Sequence, residues 1–225
     1  MDPTARLRSL LHAGPPGFPL DEAALLIAAH ERPALDLPSH LATLDLLADA
    51  VPEASFPALV GSLFGPGGFT GNTTDYYDPD NSLLDAVLSR RIGIPILLAV
   101  VAMEVGRRRG VPVLGIGMPG HFLIRSASDP DLFADPFSGP DLFDHDGCRV
   151  LFSALTSEPS RWNDAYLAPT SRRDIIVRIL NNLKAIHQQR NDYLRLGKVM
   201  RMRSVVPGLG EREQAEFRRL MAPMN

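Results

Sequence analysis

The chain has 225 residues, of which 45% are hydrophobic and 22% are charged, and this ordinary globular balance excludes a wholly disordered chain or a coiled coil. The single cysteine, Cys148, excludes an intramolecular disulfide and a multi-cysteine zinc or iron–sulfur site. The formal net charge of -3 argues against a protein that binds nucleic acid over its whole surface.

No stretch of the sequence predicts export or a membrane span. The N-terminal residues lack the basic and apolar regions of a signal peptide. The longest apolar run, residues 92–105, contains Gly93, Pro95 and Glu104 and is too short to cross a bilayer. We therefore expect a cytoplasmic protein with no membrane partner, in which the lone cysteine stays reduced.

The first 65 residues predict helices, because apolar residues recur at helical spacing between proline and polar residues that begin and end helices. Residues 65–81 follow as a loop rich in Gly, Pro, Asn and Asp. This loop carries Tyr76 and Tyr77, whose large rings we expect to pack on a neighbouring element. A short helix is then predicted over residues 82–90.

A second helix is predicted to begin at Pro95, because a proline suits the first helical position. Residues 96–106 are apolar nearly all round, which is typical of a helix buried at the centre of a domain. Glu104 lies inside this run, so we expect a buried ion pair with Arg91 or Arg125 as its partner.

The hydrophobic period changes after this helix. Residues 112–117, 121–125 and 131–135 predict three short strands of a small antiparallel sheet. A run of helices followed by strands that pair with one another indicates the α+β class.

The remainder of the chain predicts a helical tail. A helix follows Asp144, residues 155–170 form a loop, and three helices are predicted over residues 171–189, 193–202 and 211–220. The first two of these three, separated by Asn191-Asp192, resemble a tetratricopeptide hairpin. We therefore divide the chain into residues 1–168 and a helical tail, residues 169–225.

Charge is distributed unevenly along the chain. Residues 171–225 hold 12 Lys and Arg against 5 Asp and Glu, which leaves a net charge of -10 on the first 170 residues. A solvated helical surface explains the positive charge of residues 171–225. The alternative is a basic surface that binds RNA or an acidic partner.

A histidine and an aspartate on adjacent predicted strands form a candidate catalytic pair. His121 begins one strand and Asp135 ends its neighbour, so pairing of the strands brings both side chains to one end of the sheet. A carboxylate that orients an imidazole supplies two members of a nucleophilic triad. The third belongs at the N-terminus of a buried helix, where the helix dipole lowers the pKa of a thiol. That helix begins at Pro95.

Three motifs give residues 70–150 a family resemblance: Gly93-Ile94-Pro95, Pro119-Gly120-His121-Phe122 and Asp135-Pro136-Phe137. The segment resembles the transglutaminase-like superfamily of papain-fold enzymes, and in particular its bacterial SirB-type branch. The resemblance implies a papain-like core, with a buried helix and a small antiparallel sheet, between a helical N-terminus and a helical-hairpin C-terminus. It also implies that His121 and Asp135 match the triad histidine and aspartate. Catalytic members carry the nucleophilic cysteine where this chain has Pro95.

Two other side chains are alternatives for the missing nucleophile. Cys148 is better explained as a small buried hydrophobic residue, and Ser82 as a helix cap. A metal site built on His121 and Asp135 is a further alternative, but no paired-histidine motif supports it. We therefore predict neither a metal nor a cofactor.

Five residues around the pair are predicted to bind a ligand. They are Asn72, Tyr76, Tyr77, Asn81 and Pro95. Asn81 is also placed to bond the loop at residues 71–72.

These observations leave three functional hypotheses. The favoured one is a non-catalytic module, that is, a pseudoenzyme that binds an unidentified peptide or protein. A related domain in animal F-box proteins also suggests partner binding. The second is an amide or ester hydrolase in which His121 activates water, Asp135 fixes its tautomer, and the N–H groups of Gly93 and Ile94 stabilise an oxyanion. The third is a nucleic-acid adaptor that uses the basic tail. A further alternative is that the hydrogen bond between His121 and Asp135 has only a structural role.

Overall fold

The computed structural model describes residues 2–12 and 17–209. Within these residues, helices account for most of the chain and the strands are short. The helices are α1 (Pro3–Leu11), α2 (Leu20–Glu31), α3 (Leu37–Asp49), α4 (Phe56–Phe64), α5 (Leu84–Arg90), α6 (Pro95–Arg109), α7 (His145–Leu155), α8 (Arg172–Gln189) and α9 (Tyr193–Arg203). The strands are β1 (Thr70–Gly71), β2 (Ile92–Gly93), β3 (Val113–Ile116), β4 (Leu123–Ser126), β5 (Phe133–Ala134) and β6 (Leu142–Phe143).

The predicted helical N-terminus is confirmed, and local capping explains where its helices begin. Asp2 accepts a hydrogen bond from the N–H of Thr4 at the start of α1. Ser55 does the same for Ala58 at the start of α4. Each cap satisfies one of the backbone donors that the first turn of a helix leaves free.

The central helix α6 is buried as its composition predicts. Leu97, Leu98 and Val101 are all 0% exposed, and α6 packs on α2, α3 and α4 as well as on the sheet. The helix ends at Gly110, whose φ of 78° places it in the left-handed conformation that favours glycine. Helix α6 therefore forms the core on which the other elements are positioned.

The main sheet is antiparallel, in the order β3-β4-β5-β6. Val113 pairs with Ser126 and Ile124 with Ala134, which confirms the three predicted strands. Strand β6 pairs with β5 and was not predicted, because two residues are too few to show strand periodicity. The observed α+β architecture confirms the predicted fold class.

A second sheet consists of β1 and β2, which run parallel. Thr70 pairs with Ile92, and Gly71 pairs with Gly93. The residue before β2, Arg91, ends α5 with a φ of 56°. This pairing ties the predicted loop to the segment that leads into α6.

The tail begins with the predicted helical hairpin. Ser171 caps α8 by accepting from the N–H of Asp174, and Arg203 at the end of α9 hydrogen-bonds Asn181 in α8. The apolar face of α8, which includes Ile175, Ile179 and Leu183, is part of the main hydrophobic core. The predicted helix over residues 211–220 lies outside the described residues, and the division after residue 168 stays a prediction.

Glu104 is buried in an ion pair as predicted, but the proposed partners were wrong. Its Oε2 atom accepts from Arg107 Nε at 2.7 Å and from Arg108 Nη1 at 3.3 Å. Arg91 instead donates to the carbonyl of Gly67, and Arg125 lies over the ring of Phe133. Residues three and four positions apart meet on one helix face, and this local rule identifies the true partners.

The described residues include no helix that combines the length and apolar character needed to cross a bilayer.

Candidate functional site

His121 and Asp135 form the hydrogen-bonded pair that the strand order predicts. The Nε2 atom of His121 lies 2.8 Å from Oδ1 of Asp135. Both side chains are largely buried, with 9% and 5% of their surface exposed. Because an ionised carboxylate can only accept a hydrogen bond, Nε2–H of His121 donates to Asp135, and Nδ1 is the ring nitrogen that this bond leaves unused.

Asp135 is held as an anion by three donors. Oδ1 also accepts from the N–H of Phe137 at 3.0 Å, and Oδ2 accepts from the hydroxyl of Ser138 at 2.5 Å. Burial by itself raises the pKa of Asp135, but the bonds from His121, Ser138 and Phe137 outweigh it, so the pKa lies below its ordinary value. The carboxylate thus stays ionised and fixes the orientation of the imidazole.

A half-open cavity of about 170 Å³ lies beside the pair. It is formed by the loop, the start of α6, the turn before β4 and one face of α8. Its lining residues are Tyr76, Ile94, Pro95, Ile96, Gly120, His121, Phe122, Arg178 and Asn182. The structure therefore brings three predicted site residues, Pro95, His121 and Tyr76, to one cavity, with Asp135 behind the imidazole.

The start of α6 contributes one free backbone donor to this cavity. The N–H of Ile94 donates to the carbonyl of Asn81 at 3.3 Å, so the expectation that Ile94 would stabilise an oxyanion was wrong. The N–H groups of Leu97 and Leu98 both donate to the carbonyl of Ile94. Among the described residues, no hydrogen-bond partner engages the N–H of Ile96, which therefore supplies the donor at this helix terminus.

Asn72 and Asn81 bond each other and shape the loop. The side-chain amide of Asn72 donates to Oδ1 of Asn81 at 3.1 Å, and Asn72 Oδ1 accepts from the N–H of Asp75 at 2.9 Å. Asn81 in turn donates to the carbonyls of Asp75 and Tyr76. The predicted link between Asn81 and the start of the loop is confirmed, and its effect is to hold Tyr76 at the cavity. A direct binding role for the two asparagines stays a prediction.

The two tyrosines of the loop differ in what they contact. Tyr76 packs edge-on against Phe137, with ring centroids 5.9 Å apart, and lies beside the cavity. Tyr77 contacts Tyr76 at 5.3 Å and is 57% exposed. Tyr76 thus packs on a neighbouring element, the turn that follows Asp135, as predicted, whereas Tyr77 contacts Tyr76 and stays largely exposed.

Sequence reasoning missed Arg178 and Asn182, which lie one helical turn apart on α8. Arg178 donates from Nη2 to the carbonyl of His121 at 3.1 Å, and its guanidinium lies over the ring of Phe122. The sequence feature that links them is their spacing of four residues, along the edge of the apolar face of α8. That spacing shows that they share a side of the helix but does not show what the side faces.

Neither of the alternative nucleophiles lines this cavity. Cys148 is fully buried in a small cluster with Phe133 and Phe152, and burial raises the pKa of its thiol to about 12. It packs as the small hydrophobic residue that was predicted. Ser82 was wrongly predicted as a cap, because Leu83 is the residue before α5 and no side chain caps that helix. In the described part of the chain, no group of three or more His, Cys, Asp or Glu is placed to hold a metal ion.

Comparison with known proteins identifies the family. A sequence model of the transglutaminase-like superfamily matches residues 29–181, a span that includes α6, the main sheet and both members of the His121–Asp135 pair. The chain belongs to the transglutaminase-like superfamily. This finding confirms the resemblance, while its SirB-type branch stays a prediction.

The transglutaminase-like chain is also similar to curated relatives. A UPF0162 protein of Xylella fastidiosa is 37% identical over 208 residues, which cover 86% of this chain and 74% of that protein. A UPF0162 protein of Pseudomonas aeruginosa is 35% identical over 83% of this chain and 71% of its own length. The mouse F-box only protein 21 is 44% identical over 57 residues, which is 25% of this chain and 9% of that protein. None of the solved structures matches the chain.

Replacing Asp135 by Asn should lower the stability of the transglutaminase-like chain in a pH-dependent way. At pH 7 we expect the free energy of unfolding to fall by about 1–3 kcal/mol, because the charge-assisted hydrogen bonds are lost. Since the folded pKa lies below the unfolded value of about 3.9, the stabilisation is fully present above that pH. It is lost as the pH falls through the folded pKa.

Urea unfolding of both proteins between pH 7 and pH 3 measures this difference. Asp36→Asn is the matched control, because Asp36 is exposed and makes no cap hydrogen bond at the start of α3. The control should differ from the wild type by less than about 0.5 kcal/mol. A difference for Asp135→Asn that stays constant across the whole pH range would contradict the ionised role of Asp135.

Proposed function

We propose that this transglutaminase-like chain is a peptide- or protein-binding module in which the catalytic nucleophile has been replaced. The observation that carries the proposal is the cavity that His121 shares with Pro95, the residue at the first position of α6. A proline has neither a nucleophilic group nor a backbone N–H. The orienting pair is complete, so the site keeps its shape and its donors without the thiol that the family's acyl chemistry uses.

The surroundings of the cavity suit a macromolecular ligand. Tyr76 and Tyr77 are 40% and 57% exposed beside it, and tyrosines are enriched among the residues that anchor protein interfaces. The loop that carries them is tied down by Asn72 and Asn81, so these rings lose little freedom on binding. A rigid aromatic rim around a small polar cavity is the arrangement expected of a peptide site.

Selection of displayed peptides on the immobilised chain tests the proposal. Peptides that bind the wild type should bind His121→Ala at least about tenfold more weakly, which corresponds to about 1.4 kcal/mol. His12→Ala is the matched control, because His12 is exposed at the end of α1. Mass spectrometry of the bound peptides should show them intact. Peptides that bind all three proteins equally, or a failure to select any, would refute the proposal.

One observation favours a second candidate, an amide or ester hydrolase. With Nε2 of His121 held by Asp135, Nδ1 is free to accept a proton from water, and the N–H of Ile96 is available to an oxyanion. Cleavage of a bound peptide or ester that disappears in both His121→Ala and Asp135→Asn would support this candidate. Cleavage that survives either substitution would exclude it.

The nucleic-acid alternative stays a prediction, since residues 210–225 of the basic tail lie outside the described part of the chain.

A further inference from the structure

Arg178 is a partly buried cation that the structure leaves without an acidic partner. Burial lowers its pKa, and the one titratable group that opposes this effect is the hydroxyl of Tyr76. Within residues 2–12 and 17–209, no carboxylate forms an ion pair with Arg178. Other partly buried arginines form ion pairs with carboxylates: Arg32 pairs with Asp85, and Arg108 pairs with Asp21. A desolvated and unpaired guanidinium gains strongly from an anion.

Two contacts fix the position of Arg178 and, among the described residues, leave several N–H groups of its guanidinium without a hydrogen bond. Nη2 donates to the carbonyl of His121 at 3.1 Å, and the guanidinium carbon lies 5.1 Å from the centroid of the Phe122 ring. An arginine carries five N–H donors, and this hydrogen bond uses one of them. Arg178 lines the cavity, so a ligand there meets a pre-oriented cation that still has N–H groups to donate.

The other polar groups of the cavity also suit an anion. The N–H of Ile96 lies at the positive end of the α6 dipole and has no partner among the described residues. Asn182 adds a side-chain amide one turn from Arg178. The nearby carboxylate of Asp135 is already occupied by His121, Ser138 and the N–H of Phe137. The cavity is thus rich in donors, and the nearby carboxylate of Asp135 already accepts three hydrogen bonds of its own.

We propose that this cavity binds a carboxylate group, with Arg178 as the cation that pairs with it and Ile96 N–H and Asn182 as further donors. The inference rests on the proposed function, since it names the chemical group by which a peptide partner is recognised. A cavity of about 170 Å³ admits a carboxylate with a short alkyl stem. The C-terminus of a peptide and the side chain of Glu or Asp both present this group.

Titration of the wild-type chain with sodium propionate, followed by NMR, is the first test. Propionate should shift the amide signal of Ile96 and the Nε–H signal of Arg178 in a saturable way. Propionamide has the same shape without the charge and should leave both signals in place, as should sodium chloride at the same ionic strength. This measurement needs no variant. The absence of a saturable shift with propionate, or an equal shift with propionamide, would overturn the proposal.

Substitutions of Arg178 test its role as the cation. Arg178→Met should weaken propionate binding by about 10–100-fold, the loss expected for a charge-assisted pair, and Arg178→Lys should bind with intermediate affinity. Arg173→Met is the matched control, because Arg173 is an exposed arginine on the same helix. Thermal unfolding of each variant verifies that it is folded. Unchanged affinity in a folded Arg178→Met variant would overturn the assignment of Arg178.

Peptides separate the two sources of the carboxylate. Peptides with a free C-terminus are compared with their amidated forms, and N-acetylglutamate N-methylamide is compared with the glutamine equivalent. A preference for the free terminus or for glutamate identifies the source. If displayed peptides bind in a His121-dependent way but tolerate amidation and Glu-to-Gln exchange, the carboxylate inference fails and the proposed function stands. If propionate binds through Arg178 but no peptide does, the proposed function fails and the anion site stands.

Discussion

Leu98→Ala is expected to lower the free energy of unfolding by about 3–5 kcal/mol, the largest effect of any single substitution we predict. Leu98 is 0% exposed in α6, and it belongs to the hydrophobic cluster that joins the N-terminal helices, the sheet and α8. Removing its side chain loses the transfer free energy of the buried atoms and leaves a cavity that a rigid core fills poorly. Urea unfolding measures the change.

Leu46→Ala is the matched control for this substitution. Leu46 is also helical, in α3, but it is 70% exposed. The same chemical change there should alter the free energy of unfolding by less than about 0.5 kcal/mol. If the two leucines cost the same, α6 is not the central buried element, and the position of the cavity at its N-terminus loses its structural basis.

Arg108→Met should be the second most damaging substitution, with an expected loss of about 3 kcal/mol. Arg108 donates to Asp21 at 2.7 Å and to Glu104 at 3.3 Å, and those carboxylates are only 3% and 2% exposed. Burial followed by the nearby charge of Asp21 already raises the pKa of Glu104. Without Arg108, the two buried carboxylates keep an ion pair with Arg107, which is 46% exposed and compensates them incompletely.

Arg161→Met provides the comparison for this buried network. Arg161 pairs with Glu158, and the two side chains are 74% and 50% exposed. Surface pairs of this kind contribute about 0–1 kcal/mol, so the substitution should be nearly neutral. Urea unfolding at pH 7 distinguishes the two cases. A loss for Arg108→Met no larger than that for Arg161→Met would show that the Asp21–Glu104–Arg108 cluster does not stabilise the fold.

Much of the candidate site could be predicted, because the sequence patterns that indicate it each lie within one helix or strand. The proline at the start of α6 and the apolar run that follows it identified the buried helix. Strand periodicity placed His121 and Asp135 at the ends of adjacent strands, and in the structure His121 lies just before β4 and Asp135 just after β5. The motifs around those residues carried the family resemblance, which the match over residues 29–181 confirms. Side chains that meet within one helix turn, such as Glu104 and Arg107, also follow a local rule, even though distant partners were proposed for them.

The sequence by itself determined the class of the fold, its buried helix and the His121–Asp135 pair, because spacing along one helix or two adjacent strands dictates these features. Only the tertiary structure decided what surrounds the pair. Arg178 meets the carbonyl of His121 across 57 positions of the chain, and Asp21 joins Arg108 across 87. Such contacts depend on how whole elements pack, and no periodicity in the chain encodes which polar side of α8 faces a cavity and which faces water.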